Sequence, residues 1–194
     1  METDAGTDTT ACELHVWPAD GLRSTYHGWF HGGIVDGAVE GREGYRKLPG
    51  IPLDTPHQVE LLRASPLAEA LALPGYRTLV HEQALDSNTA RHTPGRLIAD
   101  APSCYAELVV DDVFFQEDIV NGKFLKILFR YRSFDGDALT RRFGTYTQVP
   151  LTAFPPATPD AVVAASSDID QAYERSLTEF GTALQSPPKQ KKKK

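Results

Sequence analysis

Apolar and polar positions alternate most regularly between residues 104 and 149. Cys104 to Gln116, Phe124 to Phe134 and Leu139 to Val149 each read as a strand rich in β-branched and aromatic residues. Asn121-Gly122 and Asp135-Gly136 separate them; such dipeptides tolerate positive φ at the centre of a type I′ turn, so the spacing predicts an antiparallel three-strand meander. A two-residue turn at Asn121-Gly122 sets Glu117 opposite Lys126, Asp111 opposite Arg132 and Phe114 opposite Phe129. That register pairs opposite charges and stacks aromatic rings. It places Val113, Phe115 and Leu128 on one face and Phe114, Phe129 and Ile127 on the other. A sheet apolar on both faces must be covered on both, by helices or by a partner. In the second hairpin the simplest register opposes Arg130 to Arg141, a like-charge pair, which predicts a bulge or a longer loop.

Helical spacing appears twice. Val162, Ala165, Ile169, Tyr173, Leu177, Phe180 and Leu184 form one apolar stripe, entered through Thr158-Pro159 with Ser167 as a second cap and stopped by Pro187-Pro188. Thr55 to Leu73 forms the other, with a capping box at Thr55-Pro56-His57-Gln58 and a restart at Ser65-Pro66 that predicts two short helices. Pro74-Gly75 then leads into a strand from Tyr76 to Gln83, and an earlier strand runs from Glu13 to Trp17. Gly21 to Gly50 is a glycine-rich connection headed by Tyr26-His27-Gly28-Trp29-Phe30. Glycine is costly in a helix, so this stretch reads as a loop with a short helix, pinned by Trp29 and Phe30. The element order predicts an α/β sandwich, with a mixed, mostly antiparallel sheet of about five strands that ends in the meander and is covered by helices. At 194 residues and 41% hydrophobic content the chain accommodates one core. The expected organisation is a disordered N-terminus over 1–11, one domain over 12–185 and a disordered Lys-rich tail over 186–194.

Charge changes this picture at the C-terminus. Five of the 20 Lys+Arg residues are Lys189 and Lys191 to Lys194, so 15 remain against 26 Asp+Glu and the rest of the chain carries −11. An acidic body argues against nucleic-acid binding, which needs clustered Lys and Arg on one face. The tail reads as a solubilising end, or as a weak contact with an anionic membrane surface. No stretch approaches the roughly 20 apolar residues that span a bilayer.

The two cysteines, Cys12 and Cys104, each stand immediately before a strand. A bridge between them would make those strands neighbours, place the Cα atoms within about 7 Å of each other and imply an oxidising compartment. A catalytic Cys104 is the rival reading, but nothing local favours its thiolate. The polar run Glu2 to Thr10 resembles the flexible stretch that follows a removed export signal. The expected location is periplasmic or outer-membrane-associated, with the cytoplasm as the alternative.

Candidate chemistry is sparse. His27 and His31 are four apart, with Asp36 as a third group that could bind a ligand or metal. Gly28 stands where the zinc-protease form needs glutamate, and the competing reading has these histidines capping a glycine-rich turn. The chain lacks a Gly-x-Ser-x-Gly elbow, a Walker loop, a dinucleotide fingerprint and a CxxC pair. Asp111 and Asp112 are adjacent on a strand, which points them to opposite faces and disfavours an acid/base pair. Lys123, Lys126, Arg130, Arg132, Arg141 and Arg142 cluster within two hairpins, either as a sheet face neutralised by Asp111 and Glu117 or as an anion or partner site. No catalytic residue, cofactor or resident metal is assigned.

Across residues 12 to 185 the element order, with its late meander and closing helix, resembles the small soluble domains of Gram-negative envelope lipoproteins of the curli-secretion type. The resemblance is one of arrangement, without a shared motif or a lipobox before Cys12, so no functional residue carries over. It implies an envelope protein that works by docking to other proteins. The expected function is a non-enzymatic interaction or structural module that binds a protein partner or a second copy, with Trp29, Phe30, Val113, Phe115 and Leu128 as its surface. The alternative is a small-ligand or metal-binding protein, enzymes included, built on the Tyr26 to Asp36 loop.

Overall fold

The computed structural model describes residues 11–27, 52–118 and 121–186, and those residues form an α/β fold around one mixed sheet. Strand β1 (Glu13–Trp17) runs parallel to the first half of β4 (Cys104–Asp118), and β2 (Arg23–His27) runs parallel to its second half. Strand β3 (Arg77–Val80) lies outside β1, also parallel, while β5 (Gly122–Asp135) and β6 (Ala138–Pro150) follow β4 as the antiparallel meander. The order is β3-β1-β4-β5-β6, with β2 off that path beside β4. Between β1 and β2 the chain passes Pro18, which cannot donate to a ladder, and Gly21, whose φ of 74° suits glycine. One long strand is thus served by two short ones.

The first hairpin differs from the sequence register. Glu117 pairs with Lys123 and Phe114 with Lys126, a shift of three residues from the predicted alignment, and beyond a bulge Glu107 pairs with Arg132, a shift of four. The strands run on to Asp118 and Gly122, so Asn121-Gly122 is not the centre of a two-residue turn, and Asp118 accepts hydrogen bonds from the backbone and side-chain nitrogens of Asn121. An odd shift moves partners to opposite faces. Val113 and Phe115 therefore share a face with Ile127 and Phe129, and Leu128 lies on the other, which corrects the predicted grouping. The second hairpin has the expected irregularity, between Ser133 and Phe134, and it sets Arg130 opposite Gly144 rather than Arg141.

The closing helix α4 (Val162–Gln185) buries its stripe from Ala165 to Leu184 against the meander, while Val162 at its start stays exposed. Its Gly181 crosses α2 (Leu67–Ala70) so closely that a Cβ there would lie 2.0 Å from the Ala70 carbonyl oxygen. Pro66 separates α2 from α1 (Thr55–Ala64) as the sequence predicts. The α1 cap is Asp54, which accepts from the His57 N–H, and not Thr55. Thr55 donates its hydroxyl to the Ala19 carbonyl, and the buried Gln58 accepts from the Ala19 N–H and donates to the Leu53 carbonyl. These bonds satisfy backbone groups of the turn after β1, so polar side chains at the helix start serve packing rather than a capping box. A short helix, α3 (Ser87–His92), capped by Asp86, was not predicted and lies on the opposite side of the sheet.

Candidate functional site

Period-two alternation along β1 sends Leu14 and Val16 into the main core and Glu13, His15 and Trp17 to the other face. There Arg77 pairs with Glu13, and His15 joins its Nε2 to Glu13 Oε2 and its Nδ1 to His81 Nε2, each at 3.0 Å. A carboxylate only accepts, so His15 Nε2 donates to Glu13. The His81 ring stacks on Trp17 with centroids 4.2 Å apart. Burial, and then the charge of His15, push His81 below the ordinary imidazole value. The Glu13 carboxyl is held low by its hydrogen bonds from His15 and Arg77.

The same face continues across β4 and β5 as an arginine–carboxylate array. Glu107 is 1% exposed and Arg132 5%. Arg132 Nε donates to Glu107 Oε2 at 2.6 Å and its Nη1 to the Thr93 carbonyl at 2.7 Å, while Glu107 Oε1 accepts from the Leu97 N–H. Arg132 Nη2 is buried without a hydrogen-bond partner among the described residues. Next along the sheet, β4 bulges at Asp111, where the register shifts between Val110 and Asp112. The bulge lets Val110 and Val113, three apart, both enter the main core. The Asp111 side chain is enclosed and accepts from the Ser87 hydroxyl at 2.6 Å, Arg130 Nε at 2.6 Å and Arg91 Nη2 at 3.3 Å. Burial alone would raise its carboxyl, but Ser87 and Arg130 outweigh that and hold it low. Asp112 pairs instead with Arg23, so the adjacent aspartates are ion-pair partners of different arginines.

Between α3 and this array lies a cavity of about 260 Å³, lined by Arg91, Glu107, Arg130, Arg132, Arg142 and Gly144 among others. Beyond the cavity the face is more open and more apolar. Phe114 meets the Tyr146 ring edge-on at 6.0 Å, and Tyr146, opposite Leu128, is 55% exposed. Strand β6 is hydrogen-bonded to a neighbouring strand on one side only among the described residues, and near its start Leu139 is 43% exposed.

Of the residues singled out in the sequence, Cys12 and Cys104 are joined in a disulfide with Cα atoms 4.7 Å apart, beside the Glu13–Tyr105 pair of the β1–β4 ladder. Val113 and Phe115 lie in the core under the helices and Leu128 is buried on the cavity side, so these three do not form one accessible surface. The cause is the three-residue register difference. Trp29, Phe30, His31 and Asp36 lie outside the described residues, as does the side chain of His27, which ends β2. The Lys-rich tail lies outside them as well. Arg130, Arg132 and Arg142 of the basic cluster meet at the cavity, whereas Arg141 donates to the Leu184 carbonyl at the end of α4. Sequence reasoning missed His15 and His81. The alternation Glu13-Leu14-His15-Val16-Trp17, which sets three polar or aromatic groups on one face, was the available signal.

No protein-family model matches the chain, and no curated protein matches its sequence. Among solved structures, a hypothetical protein from Chlamydia trachomatis is similar at 12% identity and a TM-score of 0.43, over 90% of this chain and 96% of that one. A protein from Xanthomonas campestris of the DUF330 family is similar at 12% identity and a TM-score of 0.40, over 89% of this chain and 83% of that one.

Proposed function

We propose that this protein is a non-enzymatic interaction module of the cell envelope, periplasmic or outer-membrane-associated, that docks an extended segment of a partner protein along the edge of β6. The carrying observation is that edge itself. It runs through 13 residues, is hydrogen-bonded to a strand on one side only among the described residues, and exposes Leu139 and Tyr146. An open edge offers a row of backbone N–H and C=O groups to an added strand, and neighbouring apolar side chains give the pairing its selectivity. Arg141 and Arg142 on the same strand oppose indiscriminate pairing, as edge charges do. The Cys12–Cys104 bridge supports an oxidising compartment. The resemblance of element order to envelope lipoprotein domains agrees with that placement.

A photo-reactive amino acid at position 146, compared in cells with one at the exposed Val163 on α4, tests the reading. The expected result is an adduct of defined mass from position 146, to another protein or to a second copy of the chain, and none from position 163. No adduct from position 146, together with a strict monomer in light scattering, overturns it.

A further inference from the structure

We propose that the cavity between α3 and the β4–β6 face is an anion site that holds the phosphate group of a small molecule. Four arginines line it, Arg91, Arg130, Arg132 and Arg142, on elements that approach it from both sides. The carboxylates beside them are already occupied. Both Glu107 oxygens accept hydrogen bonds, from Leu97 N–H and Arg132 Nε, and both Asp111 oxygens do so, from Ser87 and from Arg130 with Arg91. Four guanidinium groups against two carboxylates leave the site at +2, the charge complement of a phosphate monoester, which carries about −1.5 to −2 near neutral pH. A monocarboxylate would neutralise half of it.

Arg132 supplies the second, independent sign. Its Nε and Nη1 are spent on Glu107 and the Thr93 carbonyl, yet its Nη2 is buried with no partner among the described residues, in a side chain only 6% exposed. A buried guanidinium N–H left unpaired costs free energy, which a shift of the Arg132 head group toward an oxygen bound in the cavity would recover. Arg142 complements it from the facing strand, directly opposite Arg132 in the ladder. Two like charges in that position repel, and Arg142 has no acidic partner among the described residues. An anion between them turns the repulsion into a clamp. Gly144, opposite Arg130, leaves this part of the lining without a side chain.

Size selects among phosphate carriers. At about 260 Å³ the cavity lies just below the range of roughly 300 to 1,000 Å³ that holds drug-sized ligands. It suits a phosphate with a small organic group, whether free in solution or projecting from a lipid surface. Phosphate bound here would bridge α3 to the meander and stabilise the fold by mass action. The site uses the Arg142 side chain on the face of the sheet, whereas docking would use the backbone edge of β6, so either reading can fail without the other.

Thermal unfolding and calorimetric titration of the whole chain test the proposal, with inorganic phosphate and glycerol 3-phosphate against chloride at equal ionic strength. A parallel arm measures binding to phosphatidylcholine vesicles with and without phosphatidic acid. The expected result is a midpoint that rises with phosphate over chloride, and an affinity at least about tenfold lower in R142E, since that change takes the site from +2 to neutral and removes charge-assisted bonds. Arg142 is exposed, so the variant should fold, and R142Q gives a check free of added negative charge. Preference for the soluble phosphates identifies a free metabolite, and preference for phosphatidic acid vesicles identifies a headgroup. No phosphate-specific effect in either arm overturns the site, as does an effect unchanged in both variants.

Discussion

Beneath α1, α2 and α4 the sheet presents Leu14, Leu108, Val113, Ile127 and Phe129, all buried and all apolar. The opposite face of the same strands presents Glu13, His15, Glu107, Arg130 and Arg132, under α3 and the loops around it. The apolar cluster there is small, with Trp17, Ala90 and Val109 at its centre. Burying apolar area is the main source of folding free energy, so the helical side holds the molecule together. Charges buried as pairs roughly break even against apolar replacements. The second face thus gains little net stability from its polar array, and we place ligand recognition there.

The largest contrast comes from removing one partner of the buried pair. Arg132→Met leaves Glu107 uncompensated and should lower unfolding free energy by about 3 to 5 kcal/mol in a denaturant titration. A loss under about 1 kcal/mol would mean that Glu107 is not buried as a charge. On the helical face the sensitive feature is steric. Gly181→Ala drives a Cβ into the Ala70 carbonyl and should cost about 1 to 3 kcal/mol, with the effect confined to the α2–α4 contact. An unchanged midpoint would show that these helices separate readily.

The smallest contrast is in pH dependence, where two histidines oppose each other. Burial pulls the His57 imidazole down, but the hydrogen bond and charge of Asp170, with help from Glu60, outweigh it and hold the ring above 6.5. Its contribution is fully present below about 6.5 and fades as pH rises through the folded value. His81 is depressed by burial and by His15, so its contribution is present above about 6.5 and fades as pH falls through the folded value. His57→Gln should flatten the alkaline side of the stability profile and His81→Gln the acidic side, and the reverse assignment would refute the geometry of both.

Most of the fold was legible because local signals agreed with it. The meander, the two helices split at Pro66, the α4 stripe and the cysteine pairing all followed from periodicity, proline position and strand context. The pairing register did not, because apolar residues occupy both faces of β4 and β5 and alternation cannot then detect an odd shift. The Asp111 bulge compounded this by resetting the alternation in mid-strand. Helix α3 escaped notice because six residues under an Asp86 cap carry no period. The cavity was half legible. Its β5 and β6 arginines stood out as a basic cluster, but Arg91 and Glu107 reach it only through the tertiary fold.

The claim that this array serves binding rather than folding is tested most directly by the double variant Glu107→Gln with Arg132→Met. The new amide carbonyl at position 107 can still accept the Leu97 N–H, and the thioether chain at position 132 keeps the apolar stem while the charge pair disappears. We predict unfolding free energy within about 1 kcal/mol of the parent, with the phosphate-dependent rise in midpoint weakened, because the site keeps its net charge but loses the Arg132 donors. A loss of several kcal/mol, or a phosphate response equal to the parent's, would contradict it.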